Sequence, residues 1–142
     1  MKQQYSNGIN NKGILITVRT GSTRLPNKAT LKFGGSTTIE YLIGRLKKVK
    51  NDVNIILCTT TLDRDQILVD IANKHKISYF QGSEKDKLDR WLKACLKFDI
   101  DYFVTADGDD LFCDPKMIDL AFNQFENKNP DMIKSENIVC GA

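Results

Sequence analysis

The chain has 142 residues, with 21 lysines and arginines against 18 aspartates and glutamates and a formal net charge of +3. This length fits one domain with a substantial buried core, and so mild a positive charge is no argument for a nucleic acid as partner. No apolar run approaches the roughly 20 residues of a membrane-spanning helix, so membrane insertion is not expected.

The N-terminal residues 1–12 are polar and lack the apolar segment of a signal peptide. We expect them to form a flexible tail, followed by one domain over 13–142. The four cysteines are widely spaced and form no C-x-x-C pair, which indicates neither a zinc site nor a redox motif and fits a cytoplasmic location.

The first predicted element is an apolar, β-branched strand over 14–18. The loop that follows, residues 19–28, is here called the cradle. It contains glycine, hydroxyl and cationic residues: Arg19, Gly21, Ser22, Arg24 and Lys28. Glycine lets backbone approach a ligand closely, hydroxyls donate hydrogen bonds, and guanidinium groups match pairs of phosphate oxygens. The cradle is therefore predicted to bind a polyphosphate, although it is neither a Walker A loop nor a G-x-G-x-x-G turn; the alternative is a surface loop with three solvated cations.

Strands and helices alternate after the cradle. Apolar runs predict three further strands, over 54–59, 77–80 and 101–105. Residues that cap helices precede four amphipathic segments: Thr37 with Glu40, Asp63, Ser83 with Asp86, and Asp114 with Pro115. The predicted inward-facing residues of the second and third helices include Ile67, Leu88 and Leu92. Brief strand-like pieces are also predicted at 132–133 and 138–140.

Two residues that often have catalytic or binding roles are interpreted as structural. His75 falls near the end of a predicted helix, and no serine or cysteine partner for it is indicated. Trp91 lies on the apolar side of the third helix, where a core position is a better interpretation than a platform that stacks on a base.

The alternation of strands and helices predicts an α/β fold with a doubly wound, mostly parallel sheet and helices on both faces. Ligands bind such sheets at the carboxyl ends of the strands, beside the point where the strand order reverses. If the strand at 101–105 returns beside the first strand, the cradle adjoins the loop 106–114. Between Lys97 and Lys116 the chain has six acidic residues and no cation. Cations for a triphosphate and carboxylates for Mg²⁺ would then meet, as nucleotidyl transfer requires.

Two motifs resemble those of a known family. ITVRTGSTRLPNK, at 16–28, resembles the ARxGSxRLPxK signature of the cytidylyltransferases that make CMP-activated acidic sugars, including spore-coat polysaccharide, CMP-Kdo and CMP-sialic acid enzymes. GDDLFCDP, at 108–115, is similar to the family's GDxPLxDP segment, except that Asp-Leu stands where members often have Cys-Pro or Glu-Pro. LCTT with Asp63, and QGS with LDR, resemble the family's VATT…D and RGSxxDVLDR segments near the base and ribose. The resemblance spans about 13 to 120.

The resemblance implies a Rossmann-like nucleotide-diphospho-sugar transferase fold and the transfer of CMP from CTP to an acidic sugar, with release of pyrophosphate. It implies catalytic phosphate contacts by Arg19 and Lys28. It implies substrate binding by Gly21, Ser22, Arg24, Thr59 and Arg90. Strand termination for Thr59 and a solvated helix position for Arg90 are the alternatives. Mg²⁺ is expected on Asp109, with Asp107 as a further ligand. A solvated turn is the alternative for Asp107 and Asp110, and Asp114 is better interpreted as a helix cap.

Family members are considerably longer, and their additional portion supplies the sugar pocket, a further metal carboxylate and much of the dimer contact. By this comparison the chain looks truncated at its C-terminus, and a non-catalytic nucleotide-binding or interaction module is the alternative function. A related guanylyl- or uridylyltransferase is disfavoured because their GxGxRMG-type loop is absent. The resemblance also allows a homodimer, and the sequence does not name the sugar.

Overall fold

In a computed structural model of the protein, residues 11–128 and 130–134 are described. The strands of this part are β1 Lys12–Thr17, β2 Lys32–Phe33, β3 Ser36–Thr37, β4 Asn54–Thr60, β5 Ser78–Gly82 and β6 Tyr102–Asp107. Its α-helices are α1 Thr38–Leu46, α2 Gln66–Lys74, α3 Lys87–Phe98 and α4 Pro115–Lys128. Short 3₁₀ turns span Lys28–Thr30 and Asp63–Asp65. None of the described helices is long and apolar enough to cross a membrane.

Four of the strands form a parallel sheet in the order β5-β4-β1-β6. The chain builds outward from β1 to β5 and then returns to place β6 on the other side of β1. The registers pair Leu15 with Ile56 of β4 and with Thr105 of β6. The predicted doubly wound α/β topology is confirmed, and the ends of β1 and β6 adjoin, with Thr17 opposite Asp107.

Helices cover both faces of this sheet because alternate residues of each buried strand point to opposite sides. Ile14 and Ile16 of β1 belong to an apolar cluster with residues of α1, α2 and α4. Leu15 belongs to a second cluster, in which Ala94 is contributed by α3. The three β1 side chains are fully buried, so β1 has the continuous apolar character of a central parallel strand.

Local capping signals predicted three helix starts correctly. Thr37 and Glu40 form both bonds of a capping box, with the Thr37 N–H donating to the Glu40 carboxylate at 2.8 Å. Asp86 accepts the N–H of Asp89 at 2.9 Å at the start of α3. Asp114 precedes Pro115, and its carboxylate accepts the N–H of Lys116 at 3.0 Å.

Other expectations about the helices were wrong. Asp63 begins a 3₁₀ turn instead of capping a helix, and α2 starts only at Gln66. Ile67 is 47% exposed because α2 turns its other apolar residues toward the sheet. Leu88 and Leu92 of α3 are 70% and 60% exposed, since the buried positions of that helix are Arg90 and Ala94.

The two ends of the chain also differ from expectation. Asn11 and Lys12 belong to the domain: the Asn11 N–H donates to the Asp101 carboxylate at 2.8 Å, and Lys12 begins β1. Asn11 and Lys12 are therefore not part of a tail, and residues 1–10 lie outside the described part. The strand-like piece predicted at 132–133 is wrong, because residues 130–134 contain no strand. The piece predicted at 138–140 lies outside the described residues.

Candidate functional site

The cradle lies at the carboxyl end of β1 and folds back on its own start. The Thr20 carbonyl accepts the N–H of Ser22 at 2.8 Å and the N–H of Asn27 at 3.2 Å. The Ser22 hydroxyl accepts the N–H of Leu25 at 3.4 Å.

At the end of the cradle, the Lys28 carbonyl accepts a hydrogen bond from the Thr38 hydroxyl at 2.6 Å. Arg19 and Arg24 are exposed on this compact loop, as cations that contact a ligand must be.

The acidic loop after β6 is drawn against the end of β1. The N–H of Gly108 donates to the Thr17 carbonyl at 2.9 Å. A Cβ at Gly108 would lie 2.7 Å from the Val18 side chain, so only glycine permits this approach. Asp109 follows at once, and a turn bond from the Asp110 N–H to the Asp107 carbonyl at 2.9 Å shapes the loop.

The cradle and the acidic loop meet through side chains 81 residues apart in sequence: the Lys28 ammonium forms an ion pair with the Asp109 carboxylate. The hydrogen bond from Lys28 holds the pKa of Asp109 below its usual value against an opposing effect of burial, and Arg24 adds a smaller lowering. Asp107 lies 3.3 Å from the Lys87 ammonium, which sits 4.6 Å above the centre of the Trp91 ring. Each of the two carboxylates expected to bind metal therefore contacts a lysine at a solvent-facing edge.

These carboxylates suit a metal that is shared with a ligand. In residues 11–128 and 130–134, no three or more His, Cys, Asp and Glu side chains form a group that could hold a metal ion. Mg²⁺, however, is usually bound through one or two carboxylates together with substrate phosphates and water. Asp107 and Asp109 flank Gly108 and could supply that number. The donor set fits Mg²⁺ in the presence of a polyphosphate and does not fit a self-contained metal centre.

Thr59 and Arg90 lie beneath the carboxyl edge of the sheet. Thr59 is fully buried in β4, and Arg90 is 3% exposed on α3, so the solvated position considered for Arg90 is wrong. The Arg90 guanidinium donates to the Ser83 carbonyl. Burial lowers the pKa of Arg90, and the charge of Arg19 lowers it further. Among the described residues, the Thr59 hydroxyl and the Arg90 Nε have no hydrogen-bond partner. Buried polar atoms in this state are uncommon and call for an explanation such as a ligand or water.

Arg64 and Asp65 contact the cradle. The fully buried Asp65 accepts hydrogen bonds from the Thr20 N–H at 2.8 Å and the Thr20 hydroxyl at 2.6 Å, and also from the Thr60 hydroxyl. The Arg64 guanidinium lies against Gly21, where an added Cβ would be 2.6 Å from Nη2.

Comparison with known proteins decides the family. The cytidylyltransferase family model matches residues 14–142. The chain belongs to the cytidylyltransferase family. This confirms the resemblance to cytidylyltransferases that the motifs indicated.

Three relatives of this cytidylyltransferase chain are informative. A cytidylyltransferase structure from Leptospira borgpetersenii is 38% identical, with a TM-score of 0.81 over 84% of this chain and 50% of that one. The spore coat polysaccharide biosynthesis protein SpsF of Bacillus subtilis is 28% identical over 89% of this chain and 56% of its own length. A CMP:2-keto-3-deoxy-manno-octonic acid synthetase complexed with CTP is 19% identical, with a TM-score of 0.71 over 84% of this chain and 49% of that one, and shows the shared fold. The chain spans about half the length of the curated relatives it matches.

In this cytidylyltransferase chain, the structure brings together several of the residues that match the family motifs. It brings Lys28 and Asp109 into contact and places Arg19 and Arg24 on the same loop. His75 lies apart from them, with Nε2 3.1 Å from the Glu40 carboxylate, and Trp91 packs against the apolar cluster beneath α3 while its N–H donates to the Thr17 hydroxyl at 2.8 Å. Both residues make contacts within the fold, and their interpretation as structural stays a prediction.

Sequence reasoning missed Asp65 and Arg64. It assigned importance to Asp63, which is exposed, because that residue best fitted a helix cap and the family's VATT…D segment. The only local signal for Asp65 was a second acid two residues later, in a run with no apolar period.

Proposed function

We propose that this chain is the nucleotide-binding half of an enzyme that transfers CMP from CTP to an acidic sugar and releases pyrophosphate, in the synthesis of a cell-surface polysaccharide. The observation that carries the proposal is the contact between Lys28 of the cradle and Asp109 of the acidic loop, at the switch point of the sheet where such folds bind nucleotides. Family membership supports CTP as the nucleotide, and the name of the relative SpsF supports the polysaccharide context.

The cradle would bind the triphosphate. Arg19, Arg24 and Lys28 would offset the charge that develops on the leaving pyrophosphate. Gly21 would admit a phosphate beside the backbone once the Arg64 guanidinium, which occupies that space in the structure, moves aside. Lys28 would exchange its carboxylate partner for a phosphate oxygen. Asp109, with Asp107 as the second candidate, would hold Mg²⁺, which would supply positive charge to the triphosphate.

The nucleophile in this proposal is a hydroxyl of the sugar, so the protein needs no nucleophilic side chain. The cradle's task is to hold the α-phosphorus where that hydroxyl can attack in line with the departing oxygen. Thr59 and Arg90 are proposed to contact the base or ribose, which the unpartnered Thr59 hydroxyl and Arg90 Nε support.

The alternative is a module that binds nucleotide without catalysis. Pyrophosphate release from CTP in the presence of a panel of acidic sugars separates the two: release with any sugar excludes the non-catalytic module, and CTP binding without release supports it.

The nucleotide itself is tested by titrating CTP, UTP, ATP and GTP at one fixed Mg²⁺ concentration. A ligand that binds only the folded state raises its stability by about 2.7 kcal/mol at a hundred times its dissociation constant, which a thermal-unfolding scan resolves. We expect the largest rise with CTP. An equal rise with ATP or GTP would contradict the proposal.

A further inference from the structure

Thr20 is the residue on which the cradle closes. Its carbonyl accepts the N–H groups of Ser22 and Asn27, which lie near the two ends of the cradle. It directly follows Arg19 and directly precedes Gly21. The position of Thr20 therefore determines the direction of the Arg19 side chain and the path of the backbone at Gly21.

Asp65 holds Thr20 from inside the protein. Both Asp65 and Thr60 have no exposed surface, and Thr20 is 5% exposed. One Asp65 carboxylate oxygen accepts the Thr20 N–H and the Thr20 hydroxyl, and the other accepts the Thr60 hydroxyl at the end of β4. The carboxylate is thus a bridge from a rigid central strand to the start of the cradle.

Arg64 contacts Thr20 and Gly21 from the solvent side. The Thr20 hydroxyl lies 3.3 Å from the Arg64 carbonyl, and the Arg64 guanidinium occupies the space beside Gly21. That guanidinium is in turn paired with Glu84, in the loop before α3. Thr20 and Gly21 are therefore fixed between the carboxylate of one residue and the side chain of its neighbour.

A buried carboxylate is a costly way to join two segments, because the ion must leave water. The cost is offset only when donors surround it. Burial alone would raise the pKa of Asp65, but the hydrogen bonds from Thr20 and Thr60 outweigh that effect and leave the pKa below its usual value. The Asp65 carboxylate is accordingly ionised at neutral pH, and both of its oxygens accept hydrogen bonds.

We propose that Asp65 is a positioning residue that holds the cradle in its phosphate-binding form without touching the nucleotide. The inference rests on the proposed function in that the cradle is taken to bind the CTP triphosphate. The physical basis is preorganisation: a loop that is already ordered loses less freedom when the ligand binds. If the competent form falls to about a tenth of the population, the apparent dissociation constant rises about tenfold.

The test compares three variants of the whole chain. Asp65→Ala removes every acceptor of the bridge. Asp65→Asn keeps an oxygen for Thr20, and its amide can donate to the Thr60 hydroxyl, so it serves as the conservative rescue. Asp63→Ala is the matched control, since it removes an exposed acid from the same turn.

Each variant is titrated with Mg²⁺-CTP and with inorganic pyrophosphate, at a temperature where all are folded by circular dichroism. We expect Asp65→Ala to weaken both ligands about tenfold, by the population argument above, and Asp65→Asn and Asp63→Ala to stay within about twofold of the wild type. In the ligand-free protein, amide hydrogen exchange of Thr20 and Ser22 should be faster in Asp65→Ala alone.

Unchanged affinity in a folded Asp65→Ala protein overturns the inference, as does an equal loss in Asp63→Ala, which would make the effect one of charge. If Asp65→Ala does not fold, Thr20→Val removes only the hydroxyl donor; a loss of about threefold supports the bridge, and wild-type affinity overturns it. If the wild type binds pyrophosphate but not CTP, the proposed function fails while the variants still test Asp65 with pyrophosphate. A wild type that binds neither overturns both.

Discussion

Glu40 and Asp109 are both carboxylates paired with lysine, yet their surroundings differ. Glu40 is 8% exposed and is bonded to Thr37, Lys74 and His75, so its partners join the start of α1 to the end of α2. Asp109 is half exposed, and among the described residues its one side-chain partner is Lys28. A carboxylate bonded on every side stabilises the fold, whereas one bonded on a single side can exchange its partner for a ligand. This contrast separates structural from functional charge.

The largest expected effect is on the stability of the fold and concerns Glu40, the structural carboxylate of this comparison. Hydrogen bonds from Lys74, His75 and Thr37, in that order, lower the pKa of Glu40 to about 2 from 4.5. Because the folded-state pKa is the lower one, the stabilisation is present above about pH 4.5 and is lost as the pH falls toward 2. The shift corresponds to about 3 kcal/mol.

Glu40→Gln should therefore reduce the free energy of unfolding at pH 7 by about 3 kcal/mol and flatten its decline below pH 4.5. Urea unfolding of both proteins between pH 2.5 and 7 measures this. CTP affinity should not change, because the Glu40 side chain bonds to Thr37, Lys74 and His75 and to no cradle residue among those described. A variant that keeps wild-type stability but loses CTP binding would place Glu40 on the functional side instead.

The next effect concerns the cations of the cradle. Arg19→Ala and Lys28→Ala should each weaken CTP binding by roughly 1.5–3 kcal/mol, the range for a hydrogen bond to a charged group, with little change in unfolding. Calorimetric titration with Mg²⁺-CTP measures the loss. Lys32→Ala, at an exposed lysine of β2, is the control and should bind as the wild type does. Wild-type affinity in both cradle variants would reduce the cradle to a solvated surface loop.

How much the sequence could predict depends on how far apart the interacting residues lie. Thr37 with Glu40, and Asp114 with Pro115, are local signals, and both helices start where these signals indicate. The adjacency of β1 and β6 is not local. It was expected from the reversal of strand order that is usual in doubly wound sheets, and on that condition the meeting of the cradle with the acidic loop could be predicted.

The misses have a common physical cause. The apolar period of α3 indicated an inward stripe through Leu88 and Leu92, but a period does not say which face has a partner layer; Arg90 occupies a buried position instead. Asp65 was missed because its meaning comes from Thr20, 45 residues earlier. A buried polar bridge between distant segments leaves no pattern in either segment alone.

The smallest expected effect concerns Asp109, the functional carboxylate of this comparison. It tests whether Asp109 binds the metal and Asp114, in the same loop, does not. Asp109→Asn keeps the shape and one carbonyl oxygen of the side chain but removes the charge that would balance Mg²⁺. We expect Mg²⁺-dependent CTP binding to weaken about tenfold, or about 1.4 kcal/mol. Binding without metal should hold steady or improve, because an ionised carboxylate repels a triphosphate. Asp114→Asn should change neither, since asparagine caps a helix about as well as aspartate. CTP is titrated into both variants with and without Mg²⁺. Equal losses in the two, or a loss confined to Asp114→Asn, would show that the metal belongs to a different carboxylate.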